Sequence, residues 1–285
     1  MSLAQCRDLL ERAVRDFFPR RVTRKVSFTH DGEPFLNEDF PEFLRLAAGL
    51  GYRIKFASNG YLLRPDVVDS LLADRVRFNP CVDFCSDRAL FESCRGTPGS
   101  WEVVLRNLRH CVQRAEETGG AIFLDICDIS AWKVVDPSER AWRLAELRSL
   151  LGLTGSTAGV ALSPRRFHNM TGDIRLGPAG AGKRDGYHLC PYPWFNFNVT
   201  WDGTVVACCR DLDSKTVLGN VFSTDSLREI WNGGPYAALR RSLSAGHPQE
   251  IEACRGCDLP WDSARWSAGY VLLTLRRRIL RSGRG

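Results

Sequence analysis

Residues 25–60 read KVSFTHDGEPFLNEDFPEFLRLAAGLGYRIKFASNG. Residues 25–30 have the alternating β-branched and aromatic character of a short strand, and they break at the turn Asp31-Gly32-Glu33-Pro34. A helix is expected over 42–50, stopping at Gly51 as a C′ glycine. A second strand over 53–58 ends in Ser58-Asn59-Gly60. Strand, turn, helix, strand and turn make a βαβ unit, which implies parallel strands joined by a crossover helix. Both turns follow the C-terminal ends of strands, where barrel and doubly wound sheets keep their binding sites.

The same rhythm extends outward. Upstream, Ser2 to Gln5 fit a capping box, with Leu9, Leu10, Ala13, Val14 and Phe17 at helical spacing. Downstream come a helix over 66–72, a strand over 76–84, a long helix over 100–117 and a strand over 121–126. Asp136-Pro137 caps a helix to about 151, and 160–162 form the last strand. The chain opens on a helix, whereas a βα barrel normally opens on a strand. Past residue 163 the composition changes. Residues 164–189 are rich in glycine, arginine and proline and form a linker. A β-hairpin follows over 195–200 and 204–208, with Trp201-Asp202-Gly203 at its turn. Two short helices over 226–231 and 235–243 lead to Cys254-x-x-Cys257.

Composition sets the class. The 285 residues are 44% apolar and 25% charged, as in a folded globular protein rather than a disordered one. There is no apolar run of about 18 residues and no apolar signal core at the N-terminus, so the chain is expected in the cytoplasm without membrane contact. The net charge of +6 reads as a solvated basic surface; no element interleaves basic and exposed aromatic residues as nucleic-acid binding would require. Eleven cysteines, an odd number in a chain without a signal peptide, point to metal or redox chemistry rather than a disulfide scaffold.

Spacing picks out Cys190, Cys208, Cys254 and Cys257 as metal ligands. Four thiolates suit tetrahedral zinc or an iron–sulfur cluster, and the spacing is not that of paired zinc knuckles. Unrelated buried cysteines are the remaining alternative. Cys209, next to Cys208, could replace it as the second ligand.

Cys190, twelve residues, Gly203, four residues, Cys208 and then Cys254-x-x-Cys257 resemble the SPASM/twitch auxiliary-cluster domains of radical S-adenosylmethionine (AdoMet) enzymes. Leu218-Gly219-Asn220-Val221 and the stretch Ser226 to Asn232 resemble the segment that joins the cysteine pairs of those domains. No cysteine follows Cys257, which favours the twitch form with one [4Fe–4S] cluster. Gly32-Glu33-Pro34 resembles the family's Gly-Gly-Glu-Pro motif, with Asp31 in place of the first glycine, and Ser58-Asn59-Gly60 resembles its Thr-Asn-Gly turn. Arg95-Gly96 and Gly99-Ser100-Trp101 resemble the opening of the helix after the fourth family strand.

The resemblance implies an α/β fold: a partial radical AdoMet (βα) barrel lacking its first strand over 1–163 and a cysteine-rich α+β cap over 190–262, with a basic tail over 263–285. It implies AdoMet held by Gly32, Glu33, Pro34, Ser58 and Asn59, and an auxiliary cluster on the four cysteines. Reductive AdoMet cleavage would give a 5′-deoxyadenosyl radical that abstracts hydrogen from a substrate, either a small sugar- or cyclitol-like molecule or a peptide. A flavodoxin- or ferredoxin-like protein would supply electrons. The alternative is a non-catalytic iron–sulfur or zinc module that binds a partner.

The family's Cys-x3-Cys-x2-Cys motif, which binds the AdoMet-cleaving cluster, does not occur in the 285 residues. Either the protein begins upstream of Met1 or it is a homologue without that cluster. Cys81 and Cys85 copy half of the motif, but Arg88 stands where its third cysteine would be. Cys6, Cys81, Cys85, Cys94, Cys111 and Cys127 read as packing residues. Asp125 and Asp128 form a candidate carboxylate pair set against simple loop solvation. His30 and His168 read as hydrogen-bonded structural residues. Residues 270–280 suggest a basic amphipathic helix packed on the barrel rather than laid on a membrane.

Overall fold

The computed structural model describes residues 1–18, 23–30, 32–132, 136–153, 159–164, 169–174 and 186–261. The expected C-terminal helix lies outside them. The chain divides into two compact units, Met1–Arg166 with Asp225–Leu227, and Phe167–Thr224 with Arg228–Gly285.

In the first unit, α1 (Leu3–Phe17) opens on the expected capping box: Ser2 and Gln5 each accept the other's backbone N–H. Five parallel strands follow, β1 (Lys25–Phe28), β2 (Arg53–Ser58), β3 (Phe78–Phe84), β4 (Leu124–Asp128) and β5 (Val160–Pro164), paired in sequence order. Between them run α2 (Phe40–Gly49), α3 (Pro65–Ala73), α4 (Arg88–Arg95), α5 (Ser100–Glu117) and α6 (Pro137–Leu150). Because right-handed crossovers in an unbroken strand order never reverse direction, the helices pack against one face of the sheet. This is the (βα)-barrel arrangement, not the doubly wound one, which needs a reversal of strand order.

Strand side chains alternate between faces. Ile54, Phe56, Phe78, Val82, Phe84, Leu124 and Ile126 are buried in one core with Phe40, Leu44, Val68, Leu71, Val104, Leu108 and Cys111 of the helices. Phe56 meets Phe40 edge-on and stacks on Phe78. The other face carries Lys55, Asn79, Cys81, Asp83, Asp125 and Cys127 and is only partly covered.

Some boundaries differ from expectation. β4 begins at Leu124, not at residue 121, and runs on to Asp128. α4 was not expected. Asp87 caps it by accepting the Leu90 N–H, and Gly96 ends it in the left-handed region.

The second unit holds the short helix α7 (Tyr192–Phe195), a three-stranded antiparallel sheet of β6 (Asn198–Val199), β7 (Thr204–Val206) and β8 (Val217–Asn220), then α8 (Leu227–Asn232) past its first residue, α9 (Gly234–Ser244) and α10 (Glu252–Arg255). The expected first hairpin strand over 195–200 is shorter than expected: Phe195 closes α7, where Pro193, without an N–H, fits the first turn of the helix. Only Asn198 and Val199 pair with β7. β8 adds a third strand to the hairpin, with an irregularity between Val205 and Val206.

Candidate functional site

In the second unit, Cys190, Cys208, Cys254 and Cys257 line one pocket, whose other walls include Tyr192, Pro193, Ala207, Leu243, Ala253 and Leu259. Cys190 precedes α7 and Cys208 follows β7, so the start of α7 and the end of the hairpin each deliver one thiol. α10 and the turn after it deliver the other pair, with the Cys257 N–H donating to the Cys254 carbonyl at 3.2 Å. Cys209 is not among the lining residues.

Backbone N–H groups are aimed at the sulfurs. Cys208 Sγ accepts from the Arg210 N–H at 3.4 Å, Cys190 from Tyr192 and Cys257 from Leu259. In each case the donor lies two residues beyond the cysteine. Such bonds favour thiolate over thiol. Burial works against them and is the larger effect, pushing Cys190 up to about 11 and Cys208 up to about 12. Cys254 and Cys257 are raised by the same cause. Four buried or half-buried thiols whose protons burial retains, three of them already offered N–H donors, suit a cationic centre that would draw off those protons. Among the described residues no group of three or more Cys, His, Asp or Glu side chains is set to hold a metal ion as it stands. The donor set and the dry walls fit an iron–sulfur cluster.

A loop within the expected linker braces this turn. Asn169 donates to the Gly256 carbonyl at 2.6 Å and accepts from the Asp258 N–H at 3.1 Å. A Cβ on Gly256 would lie 2.8 Å from the Thr171 carbonyl oxygen, so only glycine allows the approach. Asp211, fully buried, accepts the backbone N–H groups of Lys215 and Thr216 at 2.8 and 3.0 Å and so shapes the loop between Cys208 and β8. Asn169, Arg210 and Asp211 were not picked out from the sequence. Only the adjacency of the last two to Cys208 hinted at them.

In the first unit the turns after β1 and β2 meet. The Glu33 carboxylate accepts from Ser58 Oγ at 3.0 and 3.2 Å, the Asn59 N–H at 2.6 Å and the Phe35 N–H at 3.2 Å. Pro34 opens a 3-10 turn over Pro34–Leu36, and Gly32 precedes it at a φ of +73°. Ser58 Oγ also accepts the Gly60 N–H, and Asn107 of α5 donates to the Gly60 and Tyr61 carbonyls. Gly32, Glu33, Pro34, Ser58 and Asn59 therefore share one strand-end junction. Glu33 is the group that ties it together. Asp31 and His168 lie outside the described residues. His30 is present, with neither ring nitrogen hydrogen-bonded.

Other candidates resolve differently. Asp125 and Asp128 point to opposite faces of β4: Asp125 pairs with Lys55 at 3.2 Å, while Asp128 accepts from the backbone and hydroxyl of Ser130. They are not a catalytic pair. Cys6, Cys85 and Cys111 pack in the core, but Cys94 is exposed on α4, against the packing expectation. Cys81 and Cys127 sit on the polar face with their sulfurs 3.9 Å apart, because alternation turns them away from the core.

The SPASM family model, an iron–sulfur cluster-binding domain, matches residues 190–258 and so takes in all four pocket cysteines. Residues 190–258 thus match a SPASM domain, and over most of its length the chain is similar to radical AdoMet proteins. Among curated relatives of this SPASM chain, the mycofactocin maturase MftC of Mycolicibacterium smegmatis is 24% identical over 291 residues, covering 90% of this chain and 68% of the relative. The S-adenosyl-L-methionine-dependent 2-deoxy-scyllo-inosamine dehydrogenase of Niallia circulans is 30% identical over 60 residues, 21% of this chain and 24% of that one. Among solved structures, anSMEcpe with bound AdoMet shares the fold at a TM-score of 0.54 and 14% identity, covering 90% of this chain and 79% of that one. Streptococcus suis SuiB bound to the precursor peptide SuiA does so at 0.55 and 13%, covering 84% and 60%. No helix among the described residues is long and apolar enough to cross a membrane.

Proposed function

We propose that the chain is the AdoMet-holding and auxiliary-cluster part of a radical enzyme that modifies a peptide. The convergence of Cys190, Cys208, Cys254 and Cys257 on one apolar pocket with N–H donors at three of the sulfurs carries the reading. When bound, an iron–sulfur cluster supplies one-electron transfer at low potential. The four thiolates would hold it, the Tyr192, Pro193 and Leu259 walls exclude water, and the Arg210, Tyr192 and Leu259 N–H groups share the sulfur charge. In the other unit Glu33 fixes the strand-end turns on Ser58 and Asn59, leaving Gly32 and Pro34 to line the edge of an AdoMet site.

The relative matched over most of the chain is a maturase, and a solved neighbour holds a precursor peptide. These favour a peptide over a small polar substrate. The cyclitol dehydrogenase matches only 60 residues, and on that basis alone a sugar- or cyclitol-like substrate stands as the second reading. Anaerobic reconstitution with iron and sulfide tests the metal assignment. One [4Fe–4S] cluster per chain, lost in Cys254→Ala and Cys257→Ala, is expected; stoichiometric zinc without sulfide would support the zinc module instead. The genomic sequence upstream of Met1 tests the catalytic assignment: an in-frame Cys-x3-Cys-x2-Cys supports the enzyme, and its absence supports a cluster-binding partner module.

A further inference from the structure

Arg210 is the one charged residue lining the cysteine pocket among the described residues. Its side chain is 5% exposed, and Nη1 lies 3.0 Å from Asp258 Oδ1 and 4.0 Å from Cys257 Sγ. Its backbone N–H reaches Cys208 Sγ. One residue therefore contacts two of the four sulfurs, through its backbone and through its guanidinium.

Burying a guanidinium in an apolar wall costs several kcal/mol unless opposite charge faces it. Asp258 offsets part of this on one side, and Asp258 is itself 22% exposed. The sulfur side has no negative charge while the thiols are protonated. Four thiolates around an iron–sulfur core would supply it, and one-electron reduction would add one more negative charge within the same low-dielectric pocket. Hydrogen bonds to the sulfurs and net charge nearby are the levers by which proteins set cluster potentials.

We infer that Arg210 raises the reduction potential of the cluster held in this pocket, and that Asp258 opposes it by drawing the guanidinium charge away from Cys257. The inference rests on the cluster reading above. The electron comes from an external low-potential reductant and enters the cluster; the guanidinium stays protonated and no bond is made or broken. Arg210 is a positioning residue, acting through the cluster rather than on substrate.

The test is an EPR-monitored redox titration of anaerobically reconstituted wild type, Arg210→Gln, Arg210→Lys and Asp258→Asn, each with iron and sulfide measured. Arg210→Gln is expected to hold about tenfold less reduced cluster at a fixed applied potential, a downward shift of about 59 mV for one electron. Arg210→Lys should recover part of that shift, and Asp258→Asn should move the potential upward. Unchanged potential in fully loaded Arg210→Gln overturns the inference and leaves the cluster reading intact. Should Arg210→Gln take up no cluster, Asp258→Asn decides: an upward shift supports the inference, and no shift or a downward one refutes it. Wild type that takes up no cluster through its four cysteines overturns the cluster reading itself, and the role of Arg210 with it.

Discussion

Gly60 and Gly96 both have left-handed backbone, at φ of +79° and +66°, yet their surroundings differ. A Cβ built on Gly96 meets nothing within 4 Å. One built on Gly60 lies 2.9 Å from Val104 Cγ1 and 3.1 Å from Val82 Cγ1. Val82 and Val104 are buried in the core, and β-branched side chains have little rotamer freedom to give way. Gly96→Ala should therefore cost only the backbone penalty, about 1 kcal/mol. Gly60→Ala pays that and an overpacking cost of about 1–3 kcal/mol, for a total of about 2–4 kcal/mol. Urea unfolding of the two variants beside wild type, with equal m-values, reads the difference directly. If the proposed AdoMet site is right, Gly60→Ala should also weaken AdoMet binding, since Gly60 carries the N–H that Ser58 Oγ accepts while that hydroxyl holds Glu33. A Gly60→Ala variant no less stable than Gly96→Ala would refute the packing account of the strand-end junction.

Cys208→Ala should abolish iron and sulfide uptake while Cys209→Ala retains it, because Cys208 lines the pocket and Cys209 does not; iron retention in Cys208→Ala would reverse the assignment. Incubated with AdoMet and dithionite, the 285-residue chain should form no 5′-deoxyadenosine by chromatography, since it lacks the three-cysteine motif. Cluster-free protein should lose stability as pH rises above about 9. Burial holds Cys111 up at about 12, against an ordinary value near 9, so the unfolded chain ionises first and the folded one keeps its proton. The share of Cys111 is about 1.4 kcal/mol lost by pH 10. Comparing urea midpoints of wild type and Cys111→Val at pH 7.5 and pH 10 checks it; equal pH slopes would count against a buried thiol.

Much of the first unit was legible because its signals are local. β2 over Arg53–Ser58 and α5 over Ser100–Glu117 fall where periodicity puts them. The caps at Ser2 and Asp136 are likewise written in adjacent letters. α4 escaped because its short helix buries only Leu90 and Phe91, too few to show a period. β4 was misplaced because Gly119-Gly120 loosens the chain before it, and regular pairing starts only at Leu124. The four cysteines were legible through spacing. What supports them was not: Asn169 braces Gly256 across 87 positions, and no local pattern carries such a partnership. The side of β3 and β4 that Cys81 and Cys127 occupy also needed the sheet, since both strands begin on buried residues and alternate from there.

That long-range brace bears on the order in which the second unit can assemble. The pocket draws its groups from around residues 169, 190, 208 and 254–258, so it closes only after loops of tens of residues have been gathered, and no single hairpin or helix can nucleate it. Loop-closure entropy is spent before any pocket contact returns it, and slow, late formation follows from such non-local geometry. A centre bound by all four thiolates would cross-link these loops at once and limit the opened ensemble much as a set of disulfides does. Loading iron is thus a folding event for this unit as well as a redox one, and protease resistance around 186–261 should appear with the cluster.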